Sequence, residues 1–140
     1  MGMNKICAFL FLMIAFISCT ADNSETQMKP IDGSWKANAE QKIQFNINDA
    51  QNLKNIIFVV RNNNDYPYSN IRFIVNFTSL KTKKKQTDTL NYILARPNGE
   101  WMGTGFGSTK EILFQYKTDY KFPENGKYEI GIIQAMRKNP

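Results

Sequence analysis

At 140 residues the chain suits one domain, and a formal charge of +6 is modest, with nothing to mark a nucleic-acid partner. There is no histidine, which removes the commonest general base and metal ligand. The carboxylates Asp65, Asp88, Glu100, Glu111, Asp119, Glu124 and Glu129 are scattered through turns and strand ends and lack the order of a calcium loop, so no enzyme, metal, cofactor or small-molecule substrate is expected.

In chain order, the start comes first. Lys5 gives a short positive segment, and residues 6–17 form an apolar run. That run is too short for an ordinary membrane span and right for the core of a signal peptide. Ser18-Cys19 closes it. A small residue before a cysteine here resembles the lipobox of bacterial lipoproteins, where the sulfur takes a diacylglycerol and the cysteine becomes the new N-terminus. Phe16 and Ile17 depart from the strictest form of that pattern. The alternatives are a plain signal peptide cut at or near Cys19, and a retained anchor helix, for which the run is short. The two cysteines are Cys7 and Cys19. Removing residues 1–18 discards Cys7, so the mature chain has no disulfide, and acylation uses the one thiol left.

Residues 19–29 read as the lipidated cysteine and a flexible polar tether without periodicity. The folded domain is expected over 30–140. Asp32-Gly33 is a turn signal before Trp35, and residues 35–41 are the only helix candidate, a poor one because of Asn38. Ile43, Phe45 and Ile47 alternate with polar residues. Residues 48–52 form a loop, and the nearly all-apolar run 56–60 predicts a central strand covered on both faces. Residues 62–70 are a turn rich in Asn, with Asp65, Pro67 and Ser69. After it Ile71, Phe73, Val75 and Phe77 point one way. Two core strands are therefore tied by this turn.

Lys81, Lys83, Lys84 and Lys85 sit on an expected hairpin loop before a strand over 87–94. They suit phosphate groups of lipids or an acidic partner. The bland reading, preferred here, is a solvated loop that resists edge-to-edge association. Residues 96–100 are a turn. In the following Gly103-Thr104-Gly105-Phe106-Gly107 run no helical pattern follows, so the glycines read as conformational rather than phosphate-binding. Short strands are expected over 112–116, 120–122 and 128–136. The total is an antiparallel β-sandwich of about seven or eight short strands.

The motifs 64–70, Asp88-Thr89-Leu90, 97–108, Phe122-Pro123, Gly126-Lys127-Tyr128 and 134–137 stand in this order behind the Cys19 leader. Together they resemble the gliding-motility lipoprotein family GldH of Bacteroidetes-type bacteria, over most of the chain from about Trp35. The resemblance implies a lipid-anchored outer-membrane protein, on the periplasmic face or the cell surface. It implies a non-catalytic accessory or assembly role in gliding and the linked type IX secretion machinery, with other envelope proteins of that machinery as partners. The residue carried over with a chemical role is Cys19, as the lipid attachment site. Family members continue past the position of Pro140 into another short strand. The chain is therefore expected to lack its closing strand, leaving an unpaired edge beside residues 128–136.

Tyr66, Tyr68, Trp101 and Phe106 are the candidate partner-binding residues, on the expectation that the 62–70 and 101–108 loops form a docking surface. The competing readings are that these aromatics are core and corner residues, or that they bind surface glycan. Asp88-Thr89-Leu90 also resembles an O-glycosylation acceptor of exported Bacteroidetes proteins, at Thr89; an ordinary strand threonine is the alternative. Asn76-Phe77-Thr78 fits the N-glycosylation pattern and is discounted as mid-strand in a bacterial protein.

Overall fold

The computed structural model describes residues 24–137, so the expected signal peptide over 1–18 and Cys19 lie outside the described residues. Six strands follow one another: β1 (Gln41–Ile47), β2 (Lys54–Asn62), β3 (Asn70–Ser79), β4 (Lys85–Ile93), β5 (Lys110–Tyr120) and β6 (Gly126–Gln134). They form a four-stranded antiparallel sheet in the order β1-β6-β3-β4 and a two-stranded antiparallel sheet of β2 and β5. The expected all-β antiparallel sandwich is present, with six strands in place of seven or eight. The helix candidate at 35–41 is a turn leading into β1.

Alternation decides which side chains go inside. On β3, Phe73, Val75 and Phe77 are buried, and from β6 Tyr128 and Ile130 join them. Ile43, Phe45 and Ile47 of β1 fall on the same face. The smaller sheet covers this face with Ile56, Phe58, Val60, Tyr116 and Tyr120. Rings fill the gap between layers: Tyr92 stacks on Phe114 at 4.0 Å, and Phe77 meets Tyr120 at 5.7 Å. Phe122 plugs one end, packed against Phe45, Phe77, Tyr120 and Tyr128. Each fully buried aromatic or aliphatic side chain contributes about 1.5–3 kcal/mol by leaving water.

The turn at 62–70 ties two core strands as expected, carrying the chain from β2 in one sheet to β3 in the other. Three expectations change. Residues 56–60 are not a central strand, because β2 pairs only with β5. Its outward residues Ile57 and Val59 are exposed, as is Leu113 opposite Val59. The two short strands expected at 112–116 and 120–122 are one eleven-residue strand, β5, with Phe122 just beyond it. Finally, β6 is paired along both sides, so the unpaired edge expected beside 128–136 is not there. The outer strands of the large sheet are β1 and β4.

The registers define two ends. One collects the 48–53, 80–84 and 121–125 connections. The other collects the start of β1, the crossing at 63–69, the long connection at 94–109 and the end of β6. Residues 24–40 form an irregular strap. Gln27 donates its side-chain amide to the carbonyl of Gln44 in the middle of β1. Trp35 lies at the crossing end, against Phe73 and accepting from Gln134 at its carbonyl. Gln27, within the segment expected to be a tether, is thus bonded to β1.

Candidate functional site

The crossing end is built by two loops that hold each other. In the first, Asn63 Oδ1 accepts from the amide of Asp65 at 3.1 Å, and the Tyr66 amide donates to the Asn63 carbonyl. Such Asx turns are what a run of asparagines favours. Tyr66 then turns inward. Its hydroxyl donates to the Asn70 carbonyl at 2.9 Å, and burial pushes the phenol up to about 12. Tyr68 is half-buried and meets the Tyr66 ring edge-on at 5.7 Å and 76°.

The second loop is pinned at its base by Leu94 and Ala95, both buried, whose amides donate to the Ser69 carbonyl of the first loop. Trp101 faces Ala95 in an isolated bridge, and Met102 donates to the Leu94 carbonyl. The Trp101 indole N–H donates to Asn64 Oδ1 at 3.1 Å, a direct link between the two loops. Thr104 exchanges both backbone hydrogen bonds with Glu111, so the loop folds back on the start of β5. That approach needs Gly103, where a Cβ would lie 2.9 Å from the Glu111 carbonyl oxygen. Gly105 has φ +150° and would bring a Cβ 2.5 Å from the Thr109 carbonyl oxygen. The glycines are therefore conformational, and a strand rather than a helix follows them. Between Gly105 and Gly107 the ring of Phe106 stands wholly in solvent, at 103% relative exposure.

The four candidate aromatics thus have different standing. Tyr66 is a corner residue, half-buried with its hydroxyl occupied; Tyr68 and Trp101 are half-buried, and Trp101 fastens the loops together. Phe106 alone among them is fully presented, with the exposed Met102 in the same loop. Sequence reading missed the apolar ledge of Ile57, Val59 and Leu113 on the outer face of β2 and β5. Its only signal was the unbroken apolar run of β2, which reads equally as a strand covered on both faces.

Away from these loops, Asp88 on β4 accepts from the Tyr116 hydroxyl at 2.6 Å and from Lys117 at 3.3 Å, both on β5. The hydrogen bond from Tyr116 is the main reason its carboxyl is held below the usual range, despite partial burial. Burial first, and then the same carboxylate, push the Tyr116 phenol up. This is a clasp between the sheets. Thr89 beside it is exposed on an outer strand, and Asn76 donates to Glu40. Among the described residues no group of side chains could hold a metal ion, and no helix is long and apolar enough to cross a membrane.

The family model described as GldH lipoprotein matches residues 23–140. A gliding motility lipoprotein GldH homolog of Christiangramia forsetii is 38% identical over 131 residues, covering 94% of this chain and 80% of that protein. The gliding motility lipoprotein GldH of Flavobacterium johnsoniae is 32% identical over 130 residues, covering 93% of this chain and 80% of that protein. No solved structure gives a significant match. The chain belongs to the GldH lipoprotein family.

Proposed function

We propose that this lipoprotein is a non-catalytic accessory component of the gliding apparatus and of the type IX secretion machinery linked to it. Lipid on Cys19 holds it at the outer membrane, and the paired loops of the crossing end dock another envelope protein of that machinery. One observation carries the docking part: Phe106 is fully exposed at the tip of a loop that is otherwise fixed by backbone bonds, close glycine packing and the Trp101–Asn64 link. Covering such a ring with a partner removes apolar surface from water, and its preorganisation lowers the entropy lost on docking.

The glycan-binding alternative fits less well. A sugar site wants parallel aromatic faces in a groove. Tyr66 and Tyr68 meet edge-on, and the hydroxyl of Tyr66 is already committed to the chain itself.

The test is a pull-down from cross-linked cells with tagged wild type, Cys19→Ala and Phe106→Ala. Gliding or secretion components are expected with the wild type and depleted with either variant. Capsule or glycan material in their place would overturn the reading.

A further inference from the structure

The two ends of the sandwich differ in charge as well as in shape. Among the described residues at the end away from Phe106, Lys54, Lys81, Lys83, Lys84, Lys85, Lys121 and Lys127 outnumber the acidic Asp49, Asp119, Glu124 and Glu129, the last of which Lys83 also approaches. Lys54 pairs with Asp49 and Lys81 with Glu124. Lys83, Lys84, Lys85, Lys121 and Lys127 are exposed and make no ion pair among the described residues.

These lysines do not ride on separate loose loops. The Leu80 amide of the β3–β4 hairpin donates to the Lys127 carbonyl at 2.9 Å. Asn125 accepts from the Ala50 amide and donates to the Asn48 carbonyl. All three connections of this end are therefore bonded into one platform. The strap points the same way. It runs from Trp35 at the crossing end back to Gln27 at mid-β1, in the direction of the lysine end. From Ser24, five residues back to Cys19 span at most about 17 Å.

We infer that the lysine platform is the face this domain lays on the phosphate headgroups of the anionic bilayer to which it is tethered. The tether part rests on the lipid-anchor reading above; the charged face does not. Each lysine near an anionic surface is worth about a factor of five in binding, within a Debye length of about 8 Å. A lipid leash this short raises the effective concentration enough for such weak terms to set orientation. The strands then stand away from the membrane, and Phe106 is held roughly 30 Å from it, one strand length.

The experiment reconstitutes the mature acylated protein, with a single fluorophore at Thr82→Cys or at Phe106→Cys, into vesicles of phosphatidylethanolamine and phosphatidylglycerol. A lipid with a nitroxide on its headgroup quenches the label. Quenching at position 82 is expected to be several-fold stronger than at 106. The difference should collapse in phosphatidylcholine vesicles, at high salt, and in Lys83→Asn/Lys84→Gln/Lys85→Gln. Asparagine at 83 keeps the φ of +61° found there. Equal quenching, stronger quenching at 106, or a difference indifferent to charge overturns the proposal. Intact mass reports lipid at Cys19 separately. If none is attached, the same protein is added to anionic vesicles from solution. Binding that falls about tenfold or more in the triple variant supports the lysine face. Unchanged binding, or loss of an acidic protein partner with vesicle binding unaltered, refutes it.

Discussion

Asp88 shows how one side chain joins two layers. Its partners Tyr116 and Lys117 belong to the other sheet, and their side chains are largely covered. The carboxyl is held below its usual range, so the clasp adds stability that is complete above the ordinary carboxylate range. That stability is lost as pH falls through the lowered folded value. Asp88→Asn should cost roughly 1–2 kcal/mol near neutral pH, after discounting for partial exposure, and should flatten the acid limb of a stability profile. Adding Tyr116→Phe should cost less than the sum of the two changes, measured by denaturant unfolding. Gly131 makes a different kind of contact. A Cβ there would sit 2.0 Å from Glu40 Oε1, the atom that accepts from Asn76. Gly131→Ala is therefore expected to destabilise by about 1–2 kcal/mol. Glu40→Ala in the same chain should recover part of that loss, which thermal unfolding of the pair would check.

Alternation makes most elements legible in the sequence. The inward set of β3 and the Tyr128–Ile130 pair of β6 follow from period-two spacing. What local spacing cannot give is the number of neighbours a strand has. Residues 56–60 carry the composition of a doubly covered strand, yet β2 has one neighbour and one covered face. Likewise the polar Lys117-Thr118-Asp119 stretch looks like a break, but the ladder absorbs it. The register shifts near Ile56, and Asp119 takes φ +48° with its amide bonded to Asn55. Single-face coverage predicts a graded response along β2. Ile57→Thr and Val59→Thr should each change unfolding free energy by no more than about 0.5 kcal/mol. Phe58→Ala, whose ring stacks on Tyr116 at 5.0 Å, should cost about 3–5 kcal/mol. Equal costs on both faces would mean that Ile57 and Val59 are covered after all.

For the whole molecule, the sequence put the candidate aromatics on two loops expected to form one surface, but local spacing could not say how those loops meet. Only the fold shows that the Asn-rich turn and the glycine loop share an end and are linked by Trp101 and Asn64. Only the fold separates the packed Tyr66 from the presented Phe106. Phe106→Ala should leave the unfolding midpoint unchanged, because the ring touches nothing it stabilises, while weakening partner capture. The lysines were also visible singly, as a hairpin with a bland reading; three bonded connections gather them into one face. The domain is therefore polar in the directional sense, with a basic end and an aromatic end one strand length apart.

The most direct measurement is photo-cross-linking in living cells, with a photoreactive phenylalanine at position 106 and, in a parallel strain, at position 82. Adducts to gliding or type IX secretion components from position 106, and none from position 82, are the predicted result. Such adducts from both positions alike, or from neither, would contradict docking through the crossing end.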